Sequence, residues 1–335
     1  MATADVQAPG FTRTLLFMAA ILVAATSLAI LPVQGSEVGG GLLPIPGYTA
    51  SLALAVLPLV PLVVWLRRGG EARRVERQAF RLTAWVVVPL WTLLDVLLAH
   101  TFFRFPNPKA TLGFYLPGWH PACGWGLNIP LEELAFYLFA CLTMVLLYAW
   151  SSERWFGAYC RPPDDYRRHG ARCVRSIRPD GRKILQVAVL FALVCILKKV
   201  LPYPDGFPGY ALVLIAGLLL PNYTLYPAIS AFINKQAMLF TMTVVVLLSL
   251  VWEVTLGLPN QWWGYQKDAM LGIFVTPWSG LPVEAAFLWL MAGWGNVVLF
   301  EFFRLKLYSG RRGRELVLSS ALPEASPPGA PDERR

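Results

Sequence analysis

Residues 130–150 read PLEELAFYLFACLTMVLLYAW: a proline, two adjacent glutamates, and then an apolar run in which no charged residue appears before Glu153. A helix needs about 20 apolar residues to cross a hydrocarbon core of ~30 Å. Proline is favoured at a helix start, and carboxylates there complement the positive end of the helix dipole. The stretch therefore predicts a membrane-crossing helix with an acidic first turn. Outward from it, similar apolar runs recur at about 15–32, 48–66, 82–102, 184–201, 210–230, 237–257 and 281–303. The composition agrees, with 56% hydrophobic and 15% charged residues in 335. A soluble domain carries roughly 25% charged residues, and one this apolar would expose large patches. The period-two segments of a membrane β-barrel are missing. Helices satisfy their own backbone in lipid. The expected fold is an all-α integral membrane protein of about eight transmembrane helices. Pro58, Pro61, Pro89, Pro221 and Pro227 fall within these runs, as neighbouring helices permit.

The net charge of +9 is unevenly spread. Arg67, Arg68, Arg73, Arg74, Arg77 and Arg81 crowd one loop, Arg154 to Lys183 another, and Arg304 to Arg314 the tail. The intervening loops carry little: Arg104 and Lys109, then Lys198 and Lys199, then Lys267. Basic loops stay in the cytoplasm, so the alternation predicts a multi-pass protein of the cell membrane with both termini cytoplasmic. Membrane lipid is the expected partner of the arginines. No nucleic-acid recognition motif accompanies them. Arg13 before the first run permits a signal peptide, but that run has a counterpart in the second half. Five cysteines without a CxxC, and an isolated His120-x-x-Cys123, support neither a disulfide framework nor a metal site.

The chain repeats itself. Pro46-Gly47-Tyr48 returns as Pro208-Gly209-Tyr210, 162 positions on. Ala110-Thr111-Leu112-Gly113-Phe114 resembles Ala269-Met270-Leu271-Gly272-Ile273 at an offset of 159, and Pro130-Leu131-Glu132-Glu133 resembles Pro282-Val283-Glu284-Ala285 at 152. The kept order predicts two parallel four-helix repeats, 1–150 and 184–308, related by an axis along the membrane normal. A basic linker, 151–183, joins them, and a polar tail, 309–335, is expected to be disordered.

Ionisable residues inside spans are costly and usually functional. Asp95 in the third helix matches Glu253 in the seventh, while Glu132, Glu133 and Glu284 open the fourth and eighth. At 1.5 Å per residue, Asp95 and Glu253 rise roughly 20–25 Å, to the side where those first turns begin. These five are the candidate catalytic residues. As structural features, the glutamates would serve as helix starts, and Asp95 and Glu253 as a buried pair fixing helix packing. Phe136 and Phe139 follow Glu132 at helical spacing, and Trp262, Trp263 and Tyr265 lie in an aromatic-rich loop. They are candidate substrate-binding residues, with an interfacial aromatic belt the plainer reading of such loops. A carboxyl group among apolar walls holds its proton nearer neutral pH than one in water. Aromatic faces stabilise a cation. Together these point to proton-initiated chemistry on an alkene.

The segments Pro130-Leu131-Glu132-Glu133-Leu134-Ala135-Phe136 and Pro282-Val283-Glu284-Ala285-Ala286-Phe287 resemble the P-[LI]-E-E-x-x-F signature of the membrane lycopene cyclase domain. Two modules on one chain are similar to the fused form of the heterodimeric bacterial, archaeal and fungal carotenoid cyclases. The resemblance covers most of 48–150 and 210–303. It implies an isomerase of carotenoid biosynthesis that closes the acyclic ends of lycopene to β-ionone rings, with a lipid-soluble isoprenoid or carotenoid substrate and no cofactor. The only glycine run, Gly39-Gly40-Gly41, lacks a dinucleotide-binding context. Ala285 replaces the second glutamate in the second half, and Phe102, Phe103 and Phe105 stand where the other repeat has Trp262-Trp263-Gly264-Tyr265. Two alternatives remain open: a cyclase or hydratase of another isoprenoid, and a small proton-coupled transporter. A non-catalytic scaffold would leave the acids as packing features.

Overall fold

The computed structural model describes residues 33–34, 43–57, 59–162, 165–166 and 181–309. The expected first span at 15–32, most of the linker and nearly all of the tail lie outside the described residues. The described chain is mainly helical: α1 Gly47–Val56, α2 Leu59–Arg68, α3 Arg74–Phe102, α4 Leu131–Arg154, α5 Gly181–Val200, α6 Gly209–Thr224, α7 Lys235–Trp252 and α8 Val283–Tyr308. Among the described residues, four helices are long and apolar enough to cross a membrane: α3, α4, α7 with its extension to Gly257, and α8. The expected run 48–66 is divided between α1 and α2, and α6 has only 16 residues. α5 is long, but Arg182, Lys183, Lys198 and Lys199 occupy its two ends.

α3 continues through Pro89 for 29 residues, or roughly 43 Å at 1.5 Å per residue. That exceeds a ~30 Å core, so its basic first turns project beyond it.

α4 and α8 are the inner helices. Their most apolar stretches are 56% and 61% buried, against 22% and 28% for α3 and α7. The repeats interlock: α3 packs on α8 as well as α4, and α7 on α4 as well as α8. α1 packs against α4, and α6 against α8. Equivalent positions meet at the centre, where the Asn296 amide contacts the Met144 sulfur at 3.2 Å. Their separation of 152 is the offset of the fourth and eighth helices.

The fold differs from an all-helical expectation in the loops. β1 Val33–Gln34 and β2 Leu43–Pro46 form a parallel pair before α1. β3 Phe103–Arg104 pairs antiparallel with β6 Gly264–Tyr265. β4 Tyr115–His120 and β5 Gly124–Pro130 make a hairpin before α4, and β7 Phe274–Val275 and β8 Leu281–Pro282 a short one before α8. Tyr115 faces Pro130 and Leu116 faces Ile129, as Phe274 faces Pro282 and Val275 faces Leu281. The first hairpin is seven residues longer, which is the whole drift in offset from 159 to 152. Gly113 and Gly272 both adopt positive φ, at 79° and 108°, a region glycine enters without steric cost.

Candidate functional site

The site is built where the loops return to α4 and α8. Leu131 N donates to Phe114 O at 2.9 Å, and Val283 N to Ile273 O at 3.1 Å. This directs the chain into each helix. The glutamate one residue later then turns back toward the loop. Leu112 N donates to Glu132 Oε1 at 2.6 Å, and the equivalent Leu271 N donates to Glu284 Oε1. Thr49 of α1 also donates to Glu132 Oε1, at 2.6 Å. Both carboxylates thus clasp the same backbone position in their own repeat. Their second oxygens, Glu132 Oε2 and Glu284 Oε2, are buried without a partner.

A second group of carboxylates lies inward. Glu133 Oε2 accepts from Tyr48 Oη at 2.8 Å, and Tyr137 is a further hydrogen-bond partner. Asp95 and Glu253 are both electrostatic neighbours of Glu133. Glu253 accepts from Tyr265 Oη and, at 2.9 Å, from Trp289 Nε1. It opens a π-helical turn, Glu253–Gly257, that ends α7. Such turns widen a helix and concentrate at functional sites. Burial, with the adjacent Glu253 carboxylate, pushes the Tyr265 phenol well above its ordinary range, so it remains a donor. Asp95, at the matching place in α3, is buried and its Oδ1 has no hydrogen-bond partner.

Aromatic rings enclose this group. Phe136 lies 4.9 Å from Trp252, 5.2 Å from Trp289 and 5.3 Å from Tyr137. Tyr48 packs 6.1 Å from Trp262 and 5.2 Å from Trp263. Trp262, Trp263 and Tyr265 are therefore core residues, whereas Trp119, Trp125 and Trp278 are exposed as an interfacial belt would be. Phe139 packs elsewhere, beside Leu59, Leu62 and Leu66 of α2, and is not brought to the carboxylates. A crevice between α3 and α6 reaches Asp95, with Trp91 stacked on Tyr137 at 5.3 Å along its wall.

Several partners carry no signal in the sequence. Tyr48 is marked there only as a repeat residue, and Tyr137 and Trp289 not at all. Glu301 is acidic within an apolar run and was open to the same reasoning as Asp95. It lies at the linker end of the bundle, accepting from Tyr148 at 2.8 Å and pairing with Arg304 at 3.0 Å. Arg304 also pairs with Glu76 at 3.5 Å, and Tyr166 of the linker packs beside it. Lys198 is buried and donates to Met270 O at 2.8 Å, close to Glu284. Searches against protein-family models, curated proteins and solved structures found no match for this chain.

Proposed function

We propose that the chain is an eight-span membrane enzyme, with both termini cytoplasmic, that cyclises the acyclic ends of lycopene to β-ionone rings by proton transfer without a cofactor. The observation that carries this reading is the group Asp95, Glu133 and Glu253 inside a wall of aromatic rings, with Glu133 and Glu253 held by tyrosine and tryptophan donors. A carboxylic acid there protonates the terminal alkene. The tertiary cation is attacked by the next alkene, which closes the ring. A carboxylate removes the neighbouring ring proton, so the product is an isomer of the substrate. Fixed dipoles and ring faces in a water-poor site stabilise the developing charge. Phe136, Trp262 and Trp263 border the reacting group, and Tyr265 fixes Glu253.

Asp95, Glu133 and Glu253 are assigned the proton transfers. Glu132 and Glu284 position the loops through Leu112 and Leu271. Hydration of the same cation is the second reading. It is favoured by the crevice beside Asp95, where about 30 Å3 takes the centre of a water-sized group. A site of about 10–15 Å3 by that measure holds one water.

Expression in lycopene-accumulating cells, followed by pigment chromatography, tests the proposal. A cyclic isomer of unchanged mass is expected. A product heavier by one water per end supports the hydratase. Unchanged lycopene, with the protein present in the membrane, removes both.

A further inference from the structure

We infer that the described residues form one ligand crevice, opening toward lipid between α3 and α6 beside Asp95, and that the equivalent place in the other repeat is closed by tryptophan. The crevice is a narrow one of about 30 Å3, open at its mouth. Its mouth is bordered by Leu98 and Val213, half-exposed on the apolar flank of the bundle next to the exposed Leu97. Two polar atoms of its lining, Asp95 Oδ1 and Tyr210 Oη, have no hydrogen-bond partner, although their residues are only 6% and 3% exposed. Buried polar groups ordinarily have partners, and leaving one unmatched costs about 1–3 kcal/mol. Both groups line the crevice, so an occupant meets them directly.

The repeat supplies an internal control. Leu94 precedes Asp95 as Trp252 precedes Glu253, Tyr137 lies 152 positions before Trp289, and Phe103 lies in the segment that stands where the other repeat has Trp262 to Tyr265. These three replacements are larger, whereas Ser249 stands where the lining residue Trp91 does. Trp252 and Trp263 pack at 5.0 Å, and Trp263 lies 5.2 Å from Tyr48, the counterpart of Tyr210. A Cβ on Gly257, the counterpart of Ala99, would meet the Trp263 ring at 2.1 Å, so glycine there admits the plug. The counterparts of those two polar groups are matched in this half, while Trp252 Nε1 is buried without a partner. Glu253 has two donors, and Tyr48 donates to Glu133. The carboxylate and phenol at this place are thus satisfied in one repeat and unsatisfied in the other.

The occupant is a slim, methyl-branched alkenyl chain end arriving from the bilayer. The aromatic walls, the flank-facing mouth and the passage between two helices fit that shape. The chemical identity of the occupant rests on the isoprenoid reading above; the one-sidedness does not. One end is therefore bound at a time, and a two-ended substrate must leave and return reversed.

Photolabelling of the full chain in liposomes with a diazirine-tagged geranylgeranyl hydrocarbon, mapped by mass spectrometry, tests this. The expected result is saturable labelling near one per chain, on the peptides around Asp95 and Tyr210. Val213→Trp should lower it at least tenfold, and Leu98→Phe should lower it in part. Trp263→Ala should open the second place and raise the stoichiometry toward two. Equal labelling of both repeats in the unaltered protein, labelling confined to α1 and α7, or no saturable labelling overturns the inference. Labelling needs no turnover. A failed cyclase assay with one-sided labelling therefore removes only the reaction, and cyclisation with symmetric labelling removes only the crevice.

Discussion

Glu132 and Glu133 are neighbours in sequence with different work. The first side chain turns back to Leu112 N and Thr49, and the second turns inward to Tyr48. Glutamine at position 132 keeps an oxygen that can accept from Leu112 N. Glu132→Gln is therefore expected to keep at least a tenth of wild-type product. Glu133→Gln removes an acid–base group, and such groups contribute roughly 10²–10⁴-fold. Its product yield should fall at least a hundredfold at equal membrane abundance, read by pigment chromatography. Equal losses in the two variants would contradict the division of roles. Tyr48→Phe strands Glu133 Oε2 and should cost about 1–3 kcal/mol, seen as a lower unfolding temperature in detergent.

At the scale of elements, the most constrained packing is the π-helical turn of α7 against the Trp262–Trp263 loop. Ala at Gly257 drives a methyl into the Trp263 ring at 2.1 Å. Overpacking of this kind costs about 1–3 kcal/mol. Gly257→Ala should therefore lower the unfolding temperature, and Gly257→Ala with Trp263→Ala should recover part of the loss. No recovery in the double variant would contradict the contact. Much of this level was legible beforehand. The apolar runs placed α3 to α8, and the offsets of 162, 159 and 152 placed equivalent turns such as Gly113 and Gly272. The β4–β5 hairpin was not legible, because Pro117, Gly118, Gly124 and Gly126 interrupt any alternation, and Trp119 and Trp125 are exposed rather than turned into a core. The inner position of Trp262 and Trp263 was also hidden, since an exposed belt and a buried plug use the same residue types. Tyr48, Tyr265 and Trp289, which donate to Glu133 and Glu253, come from other elements, which no spacing along α4 or α7 reveals.

At the scale of the whole molecule, the described parts of the two repeats interlock. α3 of the first packs on α8 of the second, and α7 of the second on α4 of the first. Neither repeat completes its own core. Fragments 1–170 and 171–335, expressed together, should co-purify and retain the fold, whereas either alone should be degraded. Stable accumulation of one fragment by itself would contradict the interlocking. The same arrangement draws Asp95, Glu133 and Glu253 from both repeats into one place, which the duplicated sequence alone assigns to two. The most direct test of the central claim follows a proton into the product. Membranes containing the protein are given lycopene in D2O buffer, and the product is weighed by mass spectrometry. Protonation by a solvent-exchanged carboxylic acid, followed by loss of a different ring proton, predicts one deuterium retained for every ring formed. A cyclic product carrying no deuterium, or lycopene left unchanged by membrane-inserted protein, would contradict it.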